Sequence, residues 1–373
     1  MIIGNDKMES VSLRPYAEIM NAGEEHYSAD SIFNPYRNFP FIPMDSVQQT
    51  MGFNNKSFWM RFGIENNTTT PLSYYLETGR HITDKVTLYL RDESGNITVY
   101  ESGDAIPFSK KSITYRKSVF PLNIKPKSKL EAVLFLKSDG KVLNLPLNLI
   151  TENDFLYATA RNQLFYGFFY GILLLAFFIY LFFYSAMHDI TFLYYGLYLL
   201  FIGLLEFSLD GSFRQYILPG ASYFSKGVVL ATGIITLFIF GKYVQKFLNI
   251  GACKQILLSN YEFAALILPT CLLGLFCYIN LSANFYPIVN IIGLLLIIKS
   301  IAIIAYLKIK NKEADVYFVT GITCASLGFT VFILNNLNIL SASFFTENGF
   351  KFGIGLEVIF LSLSMGNRIS KLT

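Results

Sequence analysis

Two patterns of apolar and polar residues divide this chain. Between Ser57 and Leu149, short runs alternate apolar with polar residues, which places neighbouring side chains on opposite faces of a β-sheet. From Leu164 onward long apolar stretches replace this alternation, and each is near the roughly 20 residues that a helix needs to cross a bilayer. The pattern therefore predicts an all-β domain followed by an all-α transmembrane domain.

The first run of the β domain shows the alternation most clearly. Its predicted faces are Phe58, Met60, Phe62 and Ile64 on one side, and Trp59, Arg61 and Glu65 on the other. Turns rich in Asn, Asp, Gly, Pro and Ser separate the later runs. These runs are Leu72 to Glu77, Val86 to Leu90, Ile97 to Glu101, Thr114 to Ile124, Leu130 to Lys137 and Leu143 to Ile150. Seven or eight short strands without a convincing helix favour a jelly-roll β-sandwich.

Seven apolar stretches predict seven spanning helices, at about residues 163–185, 190–209, 223–241, 256–279, 283–307, 314–336 and 350–369. Cytoplasmic loops hold the excess of Lys and Arg, so the connections between these stretches give the orientation. One side carries eight such residues: Lys242, Lys246, Lys254, Lys308, Lys310, Lys312, Arg368 and Lys371. The other side carries three, Arg214, Lys226 and Lys351. The count places the β domain outside the membrane, which in a bacterium means the periplasm or the cell exterior, and the C-terminus in the cytoplasm.

Charge and cysteine content narrow the class of protein. Up to Arg161 the chain has 18 Lys and Arg against 18 Asp and Glu, so the β domain is neutral and not of a type that binds nucleic acid. All four cysteines, Cys253, Cys271, Cys277 and Cys324, lie in the apolar part without zinc-like spacing. The β domain therefore contains no disulfide, and we expect no metal and no cofactor. The first residues show no signal peptide, so it was either removed or the first helix exports the domain.

Several motifs in this order resemble those of the bacterial seven-transmembrane receptors with diverse intracellular signalling modules, with their type 2 extracellular domain. They are the segments 57–62, 84–89, 103–108, 119–122, 166–172 and 194–198. The resemblance implies a jelly-roll sensor for a carbohydrate-like or other small ligand over residues 1–158. It also implies a helical domain over residues 159–373 that signals to a cytoplasmic output domain, which is absent from this sequence. The arginine that usually follows the Gly103 to Phe108 motif is replaced by Lys110 and Lys111.

Five polar and aromatic residues of the β domain are candidates for ligand contact: Trp59, Arg61, Arg80, Tyr115 and Arg116. Sugars present flat apolar faces edged with hydroxyl groups, which suits an aromatic platform beside a guanidinium with several donors. A purely structural role is the alternative. Trp59 would then pack against a sheet face and the arginines would be solvated strand residues.

Four ionisable residues interrupt the apolar stretches, namely Glu206, Glu262, Lys299 and Glu357. A charge at membrane depth is costly unless it pairs or reaches water, so each is a functional candidate. Glu206 and Glu262 lie nearer helix ends, where we expect solvation at the membrane interface. Lys299 and Glu357 lie deeper, and an ion pair between them could act as a two-state latch.

The resemblance implies a receptor. We expect no enzymatic activity, since His26, His81 and His188 show no catalytic or metal-binding spacing. The receptor's partners would be the lipid bilayer, a small ligand, the output domain and a second copy in a homodimer. A transporter or channel, a retinal-binding photoreceptor and an adhesive membrane anchor are alternatives. A retinal-binding photoreceptor would need a lysine in the middle of the seventh helix, but Lys351 lies at the outer edge of that helix.

Overall fold

The chain is organised as two compact units. The computed structural model describes residues 1–3, 9–78, 80–220, 222–248, 274, 285–309, 315–336, 339–340 and 343–372. The first unit, here the β unit, comprises Met1–Gln163 and Ser208–Lys226. The second, here the helical unit, comprises Leu164–Phe207 and Gly227–Thr373. The chain therefore leaves the helical unit after Phe207, contributes a segment to the β unit, and returns at Gly227.

Thirteen strands make up the sheets of the β unit among the described residues. They are β1 (Ile2–Ile3), β2 (Val11–Ser12), β3 (Ala17–Gly23), β4 (Ile42–Pro43), β5 (Thr50–Phe53), β6 (Ser57–Asn66), β7 (Leu72–Thr78), β8 (Lys85–Arg91), β9 (Ile97–Ser102), β10 (Ser118–Ile124), β11 (Ser128–Lys137), β12 (Val142–Asn144) and β13 (Leu147–Ile150). One sheet has the order β4-β3-β6-β11-β8-β9, with β1 also paired to β6; the other has the order β10-β7-β13-β2. A short β12-β5 pair completes the set.

The core of the β unit lies between the two larger sheets, so the predicted β-sandwich is confirmed. From β6 it receives Phe58, Met60, Phe62 and Ile64, the face that the alternation predicted. The facing sheet contributes leucines and aromatic residues of β7, β10 and β13. Burial of such side chains contributes roughly 1.5 to 3 kcal/mol each, which stabilises a domain that has no disulfide.

Several parts of the β unit differ from the sequence prediction; the run Leu143 to Ile150, for example, forms two strands, β12 and β13, in different sheets. Strand β3 was not predicted, yet it pairs with β6 along Ala17–Gly23 and buries Ile19 in the core. The run predicted to begin at Thr114 begins instead at Ser118, where pairing with Thr78 starts. The Nζ of Lys111 donates to the carbonyl oxygens of residues 115 and 116, shortly before this strand, and so occupies acceptors that a longer strand would use.

Nine α-helices are present in the described ranges: α1 (Ala29–Phe33), α2 (Glu152–Met187), α3 (Ile190–Leu209), α4 (Ser212–Tyr216), α5 (Ser222–Phe247), α6 (Phe285–Ile309), α7 (Val316–Asn336), α8 (Phe344–Glu347) and α9 (Gly349–Leu372). Three short 3-10 helices lie in the β unit, at Arg14–Tyr16, Met44–Ser46 and Phe108–Lys110. Six of them are long and apolar enough to cross a membrane, namely α2, α3, α5, α6, α7 and α9. These match six of the seven predicted stretches. The fourth prediction, at 256–279, lies outside the described residues except for Gly274.

Aromatic residues dominate the core of the helical unit. The buried rings of Tyr195 and Tyr243 have centroids 4.9 Å apart, and Tyr195 also meets Tyr180 edge-on at 4.6 Å. Helices α7 and α9 approach closely at a pair of glycines, where a Cβ on Gly328 would lie 2.8 Å from the Cα of Gly353. Small residues at this crossing allow the backbones to pack directly, as is common between membrane helices.

Candidate functional site

A glycine-dependent turn after β9 creates the centre of the site. Gly103 adopts a φ of +111°, and a Cβ there would lie 2.5 Å from the backbone oxygen of Asp84. The next amide, of Asp104, donates to the carbonyl of Thr83 at 2.8 Å. This geometry holds Asp104 inside the β unit, where the residue is only 5% exposed.

Asp104 is the shared anion of a buried charge network. Its Oδ1 lies 3.1 Å from Nη1 of Arg214, and its Oδ2 lies 3.3 Å from Nζ of Lys141. The Lys141 ammonium group also lies 3.3 Å from Oδ2 of Asp139. Because all of these side chains are nearly excluded from solvent, each ion depends on its partners to offset the loss of hydration.

Arg214 brings the segment Ser208–Lys226 into this network. The same Nη1 that meets Asp104 donates to the carbonyl of Gly103 at 2.6 Å. A backbone hydrogen bond adds a second link, from the amide of Phe108 to the carbonyl of Pro219 at 2.9 Å. Gly211 has a φ of +74°, and a Cβ there would lie 3.0 Å from the Cβ of His81. A segment that joins α3 to α5 in sequence is thus part of the β unit through an ion pair, backbone bonds and close packing.

Lys111 lies at the edge of the same network. Its ammonium group donates to the carbonyls of Tyr115 and Arg116 at 3.2 and 3.3 Å and lies over the ring of Phe108. Burial lowers the pKa of Lys111 to about 8, with Asp104 raising it and Arg214 lowering it further. Lys111 therefore carries a titratable charge beside the network.

We expect replacement of Gly103 by alanine to destabilise the β unit by about 2 to 3 kcal/mol, because the left-handed backbone and the contact with Asp84 both oppose a side chain. Gly95 is the matched control, since it also has a positive φ, of +82°, but has open space around its Cβ position. Its alanine variant should lose only about 1 kcal/mol. Denaturant unfolding followed by the fluorescence of Trp59, the sole tryptophan, measures both. Equal losses would contradict a role for the contact with Asp84.

A second expectation concerns pH. In the folded chain Lys111 releases its proton near pH 8, whereas in the unfolded chain it holds the proton to about 10.5. The unfolded state binds more protons between these values, so the contribution of Lys111 to stability should rise with pH in that window. The Lys111→Arg variant does not titrate there. The unfolding free energy of wild type minus that of the variant should therefore increase from pH 8 toward 10.5, and a constant difference would contradict the assignment.

The structure distributes the five ligand-contact candidates over two regions, and their binding role stays a prediction. Trp59 is buried on the outer face of the larger sheet, against Tyr89 and Phe135, with ring centroids at 6.1 and 4.9 Å. Beside it on this face, Arg61 forms an ion pair with Glu18 and remains partly exposed.

The other three candidates lie closer to the charge network. Arg116 is buried beside the ring of Tyr115, and the Cβ position of Gly211 lies 3.5 Å from the Cβ of Arg116. The backbone amide of Arg80 donates to the hydroxyl group of Thr83, next to the turn that holds Asp104. Tyr115 and Arg116 therefore adjoin the segment Ser208–Lys226, whereas Trp59 and Arg61 belong to a separate aromatic surface.

The structure shows the partners of two of the ionisable residues in the spanning helices. Glu206 was expected to be solvated, but it is buried, and its Oε2 lies 2.7 Å from the Nζ of Lys351. Pairing with a lysine of α9 explains how the carboxylate avoids water. Glu357 is fully buried, and the hydroxyl of Tyr198 lies 2.7 Å from its Oε2. The Tyr198 hydroxyl thus hydrogen-bonds the Glu357 carboxyl. The latch between Lys299 and Glu357 stays a prediction, and Glu262 lies outside the described residues.

An additional ion pair joins α9 to the turn between α2 and α3. Asp189, in the tight turn between α2 and α3, has its Oδ2 2.8 Å from Nε of Arg368 in α9. Burial raises the pKa of Asp189, but hydrogen bonds from Thr191 and Arg368 outweigh it and lower the pKa overall. The turn is thus tied to α9.

Sequence reasoning did not identify the pairs that build these sites. Arg214 and Lys351 were noted only as loop charges, and Asp104 only as part of a motif. Two features of the sequence could have indicated these residues. Arg214 is a charged residue in a short connection between apolar stretches, and the acidic Asp104 directly follows the turn residue Gly103. The partners are distant in sequence, so only the fold brings them together.

Comparison with known proteins gives two matches that together cover most of the chain. A family model described as 7TM diverse intracellular signalling matches residues 162–368, more than half of the chain, and one described as 7TMR-DISM extracellular 2 matches residues 14–151. Both agree with the resemblance carried by the sequence motifs, which is thereby confirmed. No curated protein matches the chain.

Among solved structures, the chain is similar to TmCBM61 in complex with β-1,4-galactotriose. The identity is 7%, the alignment covers 38% of this chain and 85% of that chain, and the TM-score is 0.18. A TM-score of this size supports no conclusion about the present chain.

Proposed function

Because the chain belongs to the 7TM diverse intracellular signalling family, a receptor-like family with an extracellular sensor, we propose that the segment Ser208–Lys226 relays the state of the sensor to the spanning helices. The family's domains are of the receptor and sensor type and not catalytic. In this proposal the β unit binds a small ligand outside the bacterial inner membrane. The helices then act on a cytoplasmic output domain.

A single observation carries the proposal. The chain between α3 and α5 is built into the β unit through the contacts of Arg214 with Gly103 and Asp104. Any rearrangement of the turn around Asp104 changes the position or the restraint of that segment. Since the segment continues directly into α3 and α5, such a change acts on two helices at once.

Ligand binding drives this change only if the ligand binds one arrangement of the β unit more tightly than the other. A difference of about 1.4 kcal/mol shifts the balance between the two arrangements tenfold. A carbohydrate-like ligand is the class that the family resemblance implies. We include a homodimer in the proposal, because paired output domains are a common way for such a signal to leave the membrane.

The relay is testable without knowledge of the ligand, because undocking the segment by mutation replaces the ligand-driven change. In the Arg214→Gln variant, reconstituted in lipid nanodiscs, hydrogen–deuterium exchange should increase in Ser208–Lys226. It should also increase at the far ends of α3 and α5, around Ile190 and Phe247. Fluorescence of Trp59 verifies that the β unit remains folded.

The matched control is Arg91→Gln, which removes a guanidinium from a surface ion pair with Glu131 elsewhere in the β unit. This variant should leave exchange in α3 and α5 at the wild-type level. Increased exchange confined to Ser208–Lys226 in the Arg214→Gln variant would contradict the relay. Substrate flux through liposomes containing the wild-type chain would favour a transporter instead.

A further inference from the structure

The guanidinium group of Arg214 uses only part of its hydrogen-bonding capacity. Its Nη1 donates to Gly103 and Asp104, as described above. Its Nε and Nη2 are excluded from solvent and have no hydrogen-bond partner among the residues that the structure describes. The side chain is only 5% exposed, so both donors are removed from bulk water.

The two unsatisfied donors of Arg214, Nε and Nη2, lie side by side on one edge of the guanidinium group. The Nε and Nη2 of a guanidinium point in parallel along one edge, and this spacing matches two oxygens of one carboxylate or phosphate. Buried donors that lack an acceptor are rare in native proteins because their lost hydration is not recovered. The free edge of Arg214 is therefore suited to a bidentate oxyanion.

The charges around this edge favour the same kind of ligand. Arg214, Lys141 and Lys111 supply three cations to the network, whereas Asp104 and Asp139 supply two carboxylates. Burial is the main cause of the lowered pKa of Lys111, and the positive charge of Arg214 lowers it further. An added anion would offset the excess of positive charge in this network.

We propose that the Nε–Nη2 edge of Arg214 is a binding site for an oxyanion, the carboxylate or phosphate group of a small molecule or of a lipid headgroup. This inference rests on the proposed function and names the ligand chemistry of the same site. Because the edge has no access to solvent, entry requires the segment Ser208–Lys226 to shift. Binding at this edge is therefore coupled to the position of the segment that joins α3 and α5.

The test uses the intact chain in nanodiscs of neutral phosphatidylcholine. Succinate and inorganic phosphate are titrated at constant ionic strength, and binding is measured by isothermal titration calorimetry. We expect wild type to bind at least one of these probes at millimolar or lower concentration. Arg214→Lys keeps the positive charge near Asp104 but lacks the two-donor edge, so it should bind about tenfold more weakly. Arg91→Lys makes the same exchange at a surface ion pair and should bind as wild type does.

Nanodiscs containing phosphatidylglycerol distinguish a lipid headgroup from a soluble anion. If the phosphate of an anionic lipid occupies the site, these nanodiscs should weaken phosphate binding in wild type relative to the zwitterionic phosphatidylcholine nanodiscs. Native mass spectrometry should then detect retained phosphatidylglycerol that Arg214→Lys loses. Should Arg214→Lys prove unstable, Lys111→Gln serves as the second variant, and loss of its charge should weaken binding several-fold.

Two results would overturn the site: no binding of succinate, phosphate or lipid by folded wild type, or equal binding by wild type and Arg214→Lys. Neither result decides the relay. That proposal is judged by exchange in α3 and α5 after undocking, which requires no anion.

Discussion

The Asp104→Asn variant is expected to lose about 3 to 5 kcal/mol of stability in the β unit, because it leaves Arg214 and Lys141 buried without their shared carboxylate. The substitution preserves shape, so the loss reports charge and not volume. Denaturant unfolding monitored by Trp59 fluorescence measures the effect in the intact chain. The segment Ser208–Lys226 should also exchange its amide hydrogens faster.

Glu24→Gln provides the control for Asp104→Asn, since it makes the same carboxylate-to-amide change at an exposed position. Its effect should stay within about 0.5 kcal/mol. A double mutant tests the charge argument directly. Adding Arg214→Met to Asp104→Asn should cost less than Arg214→Met alone, because the partner charge has already been removed. Additive losses would show that the ion pair does not account for the stability.

We expect a second large loss of stability in the helical unit. Lys351→Met leaves the Glu206 carboxylate buried without its ammonium partner and should destabilise the unit by about 3 to 5 kcal/mol. Far-ultraviolet circular dichroism during thermal unfolding reports this change, because helices dominate that signal. Trp59 lies in the β unit, so its fluorescence follows the other unit separately in the same sample.

Replacing both members of the pair should reverse most of the loss. In the double variant Lys351→Met with Glu206→Met, no unmatched charge remains at membrane depth, and apolar side chains fill a similar volume. Lys242→Met is the single-variant control, at a half-buried lysine over the ring of Phe238. If the double variant is as unstable as Lys351→Met alone, the ion pair is not the source of the effect.

The elements of the fold follow largely from local pattern. The alternation in β6 correctly separated Phe58 and Met60, which enter the sandwich core, from Trp59 on the opposite face. Strand β3 escaped detection because its buried residues do not alternate strictly, since Ile19 and Met20 are adjacent and pack into different clusters. Apolar stretches long enough to span a bilayer are the strongest pattern a sequence offers, and their matches are correspondingly close.

The candidate site was less accessible to sequence reasoning. A single sequence indicates that Asp104 follows a flexible glycine, but it does not reveal that Arg214, in another part of the chain, meets it. The same holds for Glu206, whose partner Lys351 lies on α9. Because Glu206 lies near a helix end, the sequence favoured solvation of its carboxylate. In the structure the ammonium group of Lys351 takes the place of water. Ion pairs between residues distant in sequence depend on tertiary structure, so the local pattern of apolar and polar residues does not reveal them.

The position of Ser208–Lys226 in the β unit bears on how sensors of this kind are exchanged between proteins. A chimera that joins another β domain to these helices at Gln163 would retain Arg214 and Pro219. It would lose Asp104, which accepts a hydrogen bond from Arg214, and Phe108, whose amide donates to the carbonyl of Pro219. Grafting both pieces of the β unit together preserves those contacts. The β domain and the segment Ser208–Lys226 therefore form one structural unit, although α2 and α3 separate them in the chain.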